Sequence, residues 1–475
     1  MKKINFWLFA GALALLVSCR EEPIVDPVGM VSDTEVNNWI FNNMKTWYFW
    51  NDKLPGSPNI NQKPQDFFGS LLYRYDATLR PDGDRFSWLQ ENADELKASL
   101  SGETTSPGLE FRIIRYTSTG SDVFGVVTYA IKGSPAEKAG FKRGDLFTHV
   151  NGQKLTVSNY YALLYTGSDA KTFTMGMRDA DNNIVSSATT RSVTPSVVQS
   201  NPVYFDTTYV KGDKRVGYLV YHQFIPGPNG SSVKTYDQQL ERVFADFKSK
   251  GVNELIVDFR YNRGGYVSSA TQIASMIAKG VSNNDVFFFK EYNKTVTPEL
   301  EKQYGKSFFQ DNFVSKSQNI GGNLNRVFFL TSTSTASASE LVINGLKPFM
   351  NVFLVGGKTT GKNVGSITLS DENKRIKWGI QPIVSRSSNS KRSSEYTAGF
   401  EPNVAKTEGS MLYPYGDPRD PLLGEALFQI YGTRVARRGV EEADLPKTGP
   451  EVFSTIDQKA GGGNMFYTLP DKKLP

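Results

Sequence analysis

Three observations predict a multidomain α/β protein. The chain has 475 residues, more than one ordinary core holds, and that length carries a prior of about three domains. Its hydrophobic share of 39% and charged share of 21% are those of a globular chain rather than a disordered one. Its pattern changes twice: helical periodicity at first, then short strands broken by turn residues from Gly108 to about Thr194, then alternating strand-like and helix-like runs from about Asn201 to Arg438. The net charge of +6 is scattered, and the densest basic cluster, Arg434, Arg437 and Arg438, follows an apolar run as a helix C-terminus would. No nucleic-acid partner is expected from such a distribution.

At the N-terminus Lys2 and Lys3 precede the apolar run Ile4 to Val17. This run is shorter than the roughly 20 residues of a spanning helix, so it reads as an export signal. Leu16-Val-Ser-Cys19 resembles a bacterial lipobox, and Cys19 is the only cysteine. The resemblance implies a lipoprotein signal peptide over 1–19, lipidation of Cys19, a tether over 20–30, and a lipid-anchored protein on the periplasmic side or cell surface. No disulfide can form within one chain.

Asp33 to Trp50 spaces large apolar residues at three and four, and Pro64 to Tyr73 follows a turn-rich stretch, so 31–103 reads as a helical domain. Over 105–194, Phe111 to Tyr116 and Val123 to Ile131 read as strands and Asn151-Gly152 as a hairpin turn. Within it, Gly133-Ser-Pro-Ala-Glu-Lys-Ala-Gly-Phe-Lys-Arg-Gly-Asp-Leu-Phe-Thr-His-Val-Asn-Gly152 resembles a PDZ domain. By that resemblance Gly108, Leu109, Glu110 and Phe111 form the loop that receives a peptide carboxylate, and the next strand adds the peptide to its edge.

The α/β core is read over 200–440, with strands at Gly217–Phe224, Glu254–Phe259, Arg326–Leu330 and Asn351–Val355. Helices are read at Thr235–Lys250, Ser268–Ala278 and Glu425–Tyr431, and the tail over 441–475 has little periodicity. Ser337 falls where the strand Arg326–Leu330 gives way to an amphipathic helix. There a serine can act as a nucleophile beside unbonded backbone N–H groups. It can equally cap the helix, since Ser337-Ala-Ser-Glu340 has capping-box spacing.

Elimination narrows the chemistry. Only two histidines are present, His149 in the PDZ-like segment and His222 in a strand; a Ser-His-Asp triad through His222 stays open, since residues distant in sequence can meet in a fold, but between Tyr221 and Gln223 it reads as structural or substrate-lining. There is no H-E-x-x-H pair, no cysteine cluster and no P-loop, so no metal or cofactor is expected. A serine hydrolase without histidine needs another base, and lysine is the known substitute. From a reference pKa near 10.4 it must lose about three units to work near neutrality, roughly 4 kcal/mol against the charged form. That demands burial, and Lys362, closing a glycine-bearing turn after a buried strand, meets the demand; Lys358 in the same turn is its rival.

Ala336-Ser-Ala-Ser-Glu340 together with Thr360-Gly-Lys362 resembles the C-terminal processing (tail-specific) protease family. The resemblance implies a crotonase-like α/β protease core with a PDZ domain and an N-terminal helical domain in series. It implies Ser337 as nucleophile and Lys362 as base, 25 residues apart as in the family, where Lys358 would give 21. Asp258-Phe-Arg-Tyr-Asn-Arg-Gly-Gly265 resembles the family segment that supplies oxyanion-hole N–H groups, implying that role for Gly264 or Gly265 beside Ala338. Gly399-Phe-Glu-Pro-Asn403 resembles its G-x-x-P-D segment, with Asn403 in place of the acid. Where many members carry a lysine-orienting glutamine, this chain has Ser366. The implied function is an exported serine endopeptidase acting on peptide or protein substrates through their C-terminal ends. The alternative is a non-catalytic peptide-binding lipoprotein of the same fold.

Overall fold

The computed structural model describes residues 31–165, 169–435, 448–459 and 465–468. Cys19, the signal and the tether lie outside the described residues. Among the described residues, no helix is long and apolar enough to cross a membrane.

The core is a six-stranded sheet in the order Val203–Lys211, Lys214–Tyr221, Glu254–Asp258, Arg326–Thr331, Asn351–Gly356 and Val404–Ala405. The first two strands form an antiparallel hairpin, and every later pairing is parallel. Alternation sorts the side chains, as a period of two requires. Leu255, Val257, Val327 and Phe329 face the helices Thr235–Ser249, Val267–Ile277 and Ala338–Leu346. Ile256, Phe328 and Leu330 face the helix Pro421–Tyr431. Both faces are covered, which is why these strands read as unbroken apolar runs. The last helix begins at Pro421 rather than Glu425 because Asp420 caps it, accepting from the N–H groups of Leu422 and Leu423.

Parallel pairing aligns the strand ends, with Val257 opposite Phe329 and Leu330 opposite Val355. The turns after Asp258, Thr331 and Gly356 therefore emerge side by side at the carboxyl edge, where open α/β sheets build their sites.

A second six-stranded sheet takes in the strands that follow two of these turns, in the order Gly265–Tyr266, Met465–Phe466, Val364–Ser366, Ile383–Asn389, Val286–Tyr292 and Gln310–Asn312. The N-terminal region contributes helices Asp33–Trp47, Pro64–Leu71 and Ala93–Leu100. The first is capped by Ser32, whose box partner is Glu35, and stops at Trp47, short of Trp50. The strand Trp88–Gln90 pairs with Gly379–Gln381, and the region's core includes Val364, Ile380 and Ile383, so it packs directly onto the strand that follows Lys362. The PDZ-like sheet runs Leu109–Arg115, Val123–Ala130, Leu146–Val150, Lys171–Arg178, Ile184–Val193, and its outer edge is completed by Glu451–Ser454 from the tail. The tail, aperiodic in sequence, thus supplies strands to two sheets.

Candidate active site

Ser337 precedes the helix Ala338–Leu346 with φ 62° and ψ −114°, a conformation that L side chains rarely adopt. The Thr331–Ser337 turn is held against the Asp258–Gly265 turn: Ala336 N–H and Ser339 Oγ both donate to the Asn262 carbonyl, at 3.1 and 3.0 Å. Thr335 Oγ1 donates to the Phe259 carbonyl at 2.8 Å. Of the capping box, the glutamate half is a hydrogen bond, Ser337 N–H to Glu340 Oε2 at 2.9 Å. The serine half places Ser337 Oγ near the backbone of the first turn without a hydrogen bond, and that buried hydroxyl has no partner among the described residues.

Glu340 does more than cap. Its fully buried carboxylate also accepts Thr359 Oγ1 at 2.6 Å, Gly361 N–H at 2.7 Å and Lys362 N–H at 2.8 Å. One carboxylate therefore ties the serine turn to the lysine turn. Burial pushes its pKa up, while the bonds from Thr359, Lys362, Ser337 and Gly361 pull the other way.

Lys362 is fully buried, and burial holds its pKa well below the usual lysine range. Asp84 and Glu340 oppose that shift, and Arg263 and Arg85 reinforce it. Nζ lies 4.5 Å from the centroid of the Phe86 ring, an apolar wall contributed by the N-terminal region. Arg85 beside it donates to the Gly361 and Thr397 carbonyls at 2.6 and 2.9 Å, pinning the turn. Lys358 is the opposite case: it pairs with Glu401 at 2.7 Å and its side chain is 44% exposed. Gly361 has φ 87°, and a Cβ there would meet the Thr397 carbonyl oxygen at 2.3 Å, which explains a glycine before the lysine.

The structure separates the two glycines proposed for the oxyanion. Gly264 N–H is taken by Asn262 Oδ1 at 2.9 Å, so it is not a donor to substrate; this corrects its candidacy. Gly265, φ 137°, lies in a two-residue strand bridged to Phe224 on one side and paired with Met465 of the tail on the other, and Ala338 opens its helix, where a first-turn N–H has no intrahelical acceptor. Ser366 is fully buried, and its hydroxyl donates to the Met465 carbonyl of the tail at 3.3 Å. Asn403 exchanges hydrogen bonds with the Leu354 backbone, fixing a strand without any charge.

Asp258 and Arg260 are structural. Arg260 binds Asp258, Asp420 at 2.8 Å and Glu408 at 2.7 Å, and Arg143 of the PDZ-like domain also pairs with Glu408 and Asp420. His222 stacks on Tyr129 at 4.0 Å between ring centroids and shares a hydrogen bond with Tyr415 at 3.0 Å. Burial first, then Lys459, Arg143 and Arg260, hold its pKa well below the usual histidine range, and its Nδ1 has no hydrogen-bond partner among the described residues. In the PDZ-like groove, Phe111 N–H donates to Thr455 Oγ1 at 2.9 Å, and Glu110 accepts Thr455 Oγ1 at 2.6 Å. Gly108 and Leu109 are tied to the domain itself, Gly108 through Ile131 N–H and Leu109 by pairing with Ala130.

Residues 215–405 match the model for peptidase family S41, residues 35–88 the peptidase S41 N-terminal domain, and residues 126–177 a PDZ domain. The chain belongs to peptidase family S41. It is a family of serine-type, carboxyl-terminal-processing peptidases, and this member carries the PDZ domain. Among its relatives is a carboxyl-terminal-processing protease of Picosynechococcus sp., 23% identical over 68% of this chain and 69% of the relative. The chloroplastic C-terminal processing peptidase of Tetradesmus obliquus is 24% identical over 57% of this chain, which spans 53% of that relative. A solved candidate S41 protease from Bacteroides fragilis superposes with a TM-score of 0.68 at 25% identity, covering 83% of this chain and 97% of that one. In this S41 chain, Glu340, Phe86 and Asp84 were not legible as site residues. The S-x-x-E spacing was the available signal for Glu340, and it pointed only to a cap.

Proposed function

We propose that this chain is an exported serine endopeptidase that works through Ser337 and Lys362. The observation that carries the reading is a pair of fully buried groups on adjacent turns, joined by Glu340, in which the serine hydroxyl has no other partner among the described residues and the lysine is held below its usual range.

Neutral Lys362 takes the proton of Ser337 as Oγ attacks the peptide carbonyl. The N–H groups of Ala338 and Gly265 receive the oxyanion, and the start of the helix favours the negative charge. Lys362 then protonates the leaving amine, and a water that it deprotonates releases the acyl group. The PDZ domain engages polypeptide ends by strand addition along Leu109–Arg115. Lipidation at Cys19 tethers the enzyme on the outer side of the membrane that it crosses.

The test uses the form lacking residues 1–19 with unstructured polypeptides, beside Ser337→Ala and Lys362→Ala. Cleavage by the parent and its loss in both variants is the expected result. Cleavage by either variant at the parental rate would sink the mechanism, and polypeptide binding without any cleavage would leave a non-catalytic peptide-binding protein.

A further inference from the structure

A catalytic serine and lysine that are both fully buried cannot meet a polypeptide until something moves. The tail lies where the movement must occur. Glu451–Ser454 runs antiparallel to Leu109–Arg115, with Phe453 opposite Ile113 and Ser454 opposite Arg112, so it fills the edge on which a PDZ domain receives a ligand. The Phe453 ring is 8% exposed, at centroid distances of 5.5 Å from Tyr160 and 5.2 Å from Tyr165 on the helix that walls this groove. Thr455 then takes both polar groups of Phe111, and Lys459 pairs with Glu110 at 2.8 Å.

The same segment reaches the catalytic turns. Asp457 pairs with Arg263 of the oxyanion turn and accepts Ser334 Oγ at 3.0 Å from the nucleophile turn. Met465–Phe466 forms the strand between Gly265–Tyr266 and Val364–Ser366, with Met465 opposite both Gly265 and Gly365 and fully buried. Tyr467 N–H donates to the Ser366 carbonyl at 3.1 Å. A cavity of about 600 Å³ runs from Glu110 and Phe111 to Gly264 and Gly265, walled on one side by Thr455, Lys459 and Phe466.

We propose that the stretches 449–459 and 465–467 are a built-in occupant of both the PDZ groove and the catalytic cleft, which an incoming polypeptide must displace. The cleft half rests on the proteolytic reading above; the groove half does not. The tail satisfies backbone edges on three other elements with its own backbone, which is how an extended substrate would be held. Being tethered, it acts at an effective concentration of the millimolar order. Its removal should therefore raise both ligand binding and turnover.

The experiment uses the full chain. One form carries Phe453→Asp, which places a charge among the groove's tyrosines. Another carries a site-specific protease sequence introduced between Val435 and Thr448 and is cut after folding. The probe is a fluorescent synthetic peptide of residues 448–468, with binding measured in a Ser337→Ala background. Expected is negligible binding to the intact chain, clear binding to the Phe453→Asp and cut forms, and, with Ser337 present, hydrolysis of an unstructured polypeptide about tenfold or more faster than the intact chain. Probe binding to the intact chain as tight as to the altered forms, no binding to any form, or intact hydrolysis as fast as theirs overturns the inference. If the altered forms bind the probe and no form hydrolyses, the occupant stands and the proteolytic reading falls.

Discussion

Replacing Glu340 by glutamine tests whether that side chain is a cap or the joint between the Ser337 and Lys362 turns. The carboxylate accepts four hydrogen bonds, two on each oxygen. With the amide nitrogen in the Oε2 position, the N–H groups of Ser337 and Lys362 would both face a donor. In the Oε1 position, the Thr359 hydroxyl can turn to accept, leaving only Gly361 N–H stranded. The second arrangement is the cheaper one, and one stranded buried donor costs about 1–3 kcal/mol. Losing the charge weakens the other bonds but also relieves the burial that pushes this carboxyl up, so these two effects oppose each other. The expected net loss is therefore about 1–3 kcal/mol, read as a lower urea midpoint. Activity should fall further, about a hundredfold for a misplacement near 1 Å. An unchanged midpoint with an unchanged rate of hydrolysis would mean that Glu340 joins nothing.

The Lys362 pKa is depressed by burial, so between its folded value and the ordinary lysine range the unfolded chain binds more protons, and stability rises with pH across that window. Lys362→Met should flatten this slope and raise the denaturation midpoint at neutral pH while abolishing hydrolysis; an unaltered slope would show the lysine to be charged in the fold. Gly265→Ala would put a Cβ 2.2 Å from the Phe224 carbonyl oxygen at a φ of 137°, so hydrolysis should drop steeply, and a parental kcat would remove that turn from the oxyanion site. Arg143→Met leaves Glu408 and Asp420 to Arg260 alone, with an expected cost of about 3–5 kcal/mol in chemical denaturation. Burial pushes the Glu408 carboxyl up, but Arg143 and Arg260 hold it well below its ordinary value. The stability it contributes is present above the unfolded pKa and is lost as pH falls through the folded one, so Arg143→Met should also shift acid unfolding to higher pH.

What the sequence disclosed follows from how local each feature is. The buried strands and the serine turn were legible because alternation and the S-A-S-E run are written in neighbouring residues. Elimination pointed to a buried lysine and left Lys358 and Lys362 open, and the spacing of 25 residues in the family that the chain resembles favoured Lys362. The hydrogen bond of Ser366 to Met465 joins residues far apart in sequence, which no local spacing can show. The Gly264 donor was lost to Asn262, a bond inside a turn that spacing cannot show. Strands such as Trp88–Gln90 and Met465–Phe466 are two or three residues long and form only because distant segments offer an edge, so they carry no period. For that reason the tail shows little periodicity in sequence although it completes two sheets.

The most direct measurement is the mass of the protein quenched in acid during turnover of an ester or peptide substrate, using the form with the tail cut free. The account predicts an added acyl group mapped to Ser337, absent in Lys362→Ala at neutral pH. Hydrolysis with no adduct on Ser337, or an adduct formed equally without Lys362, would contradict it.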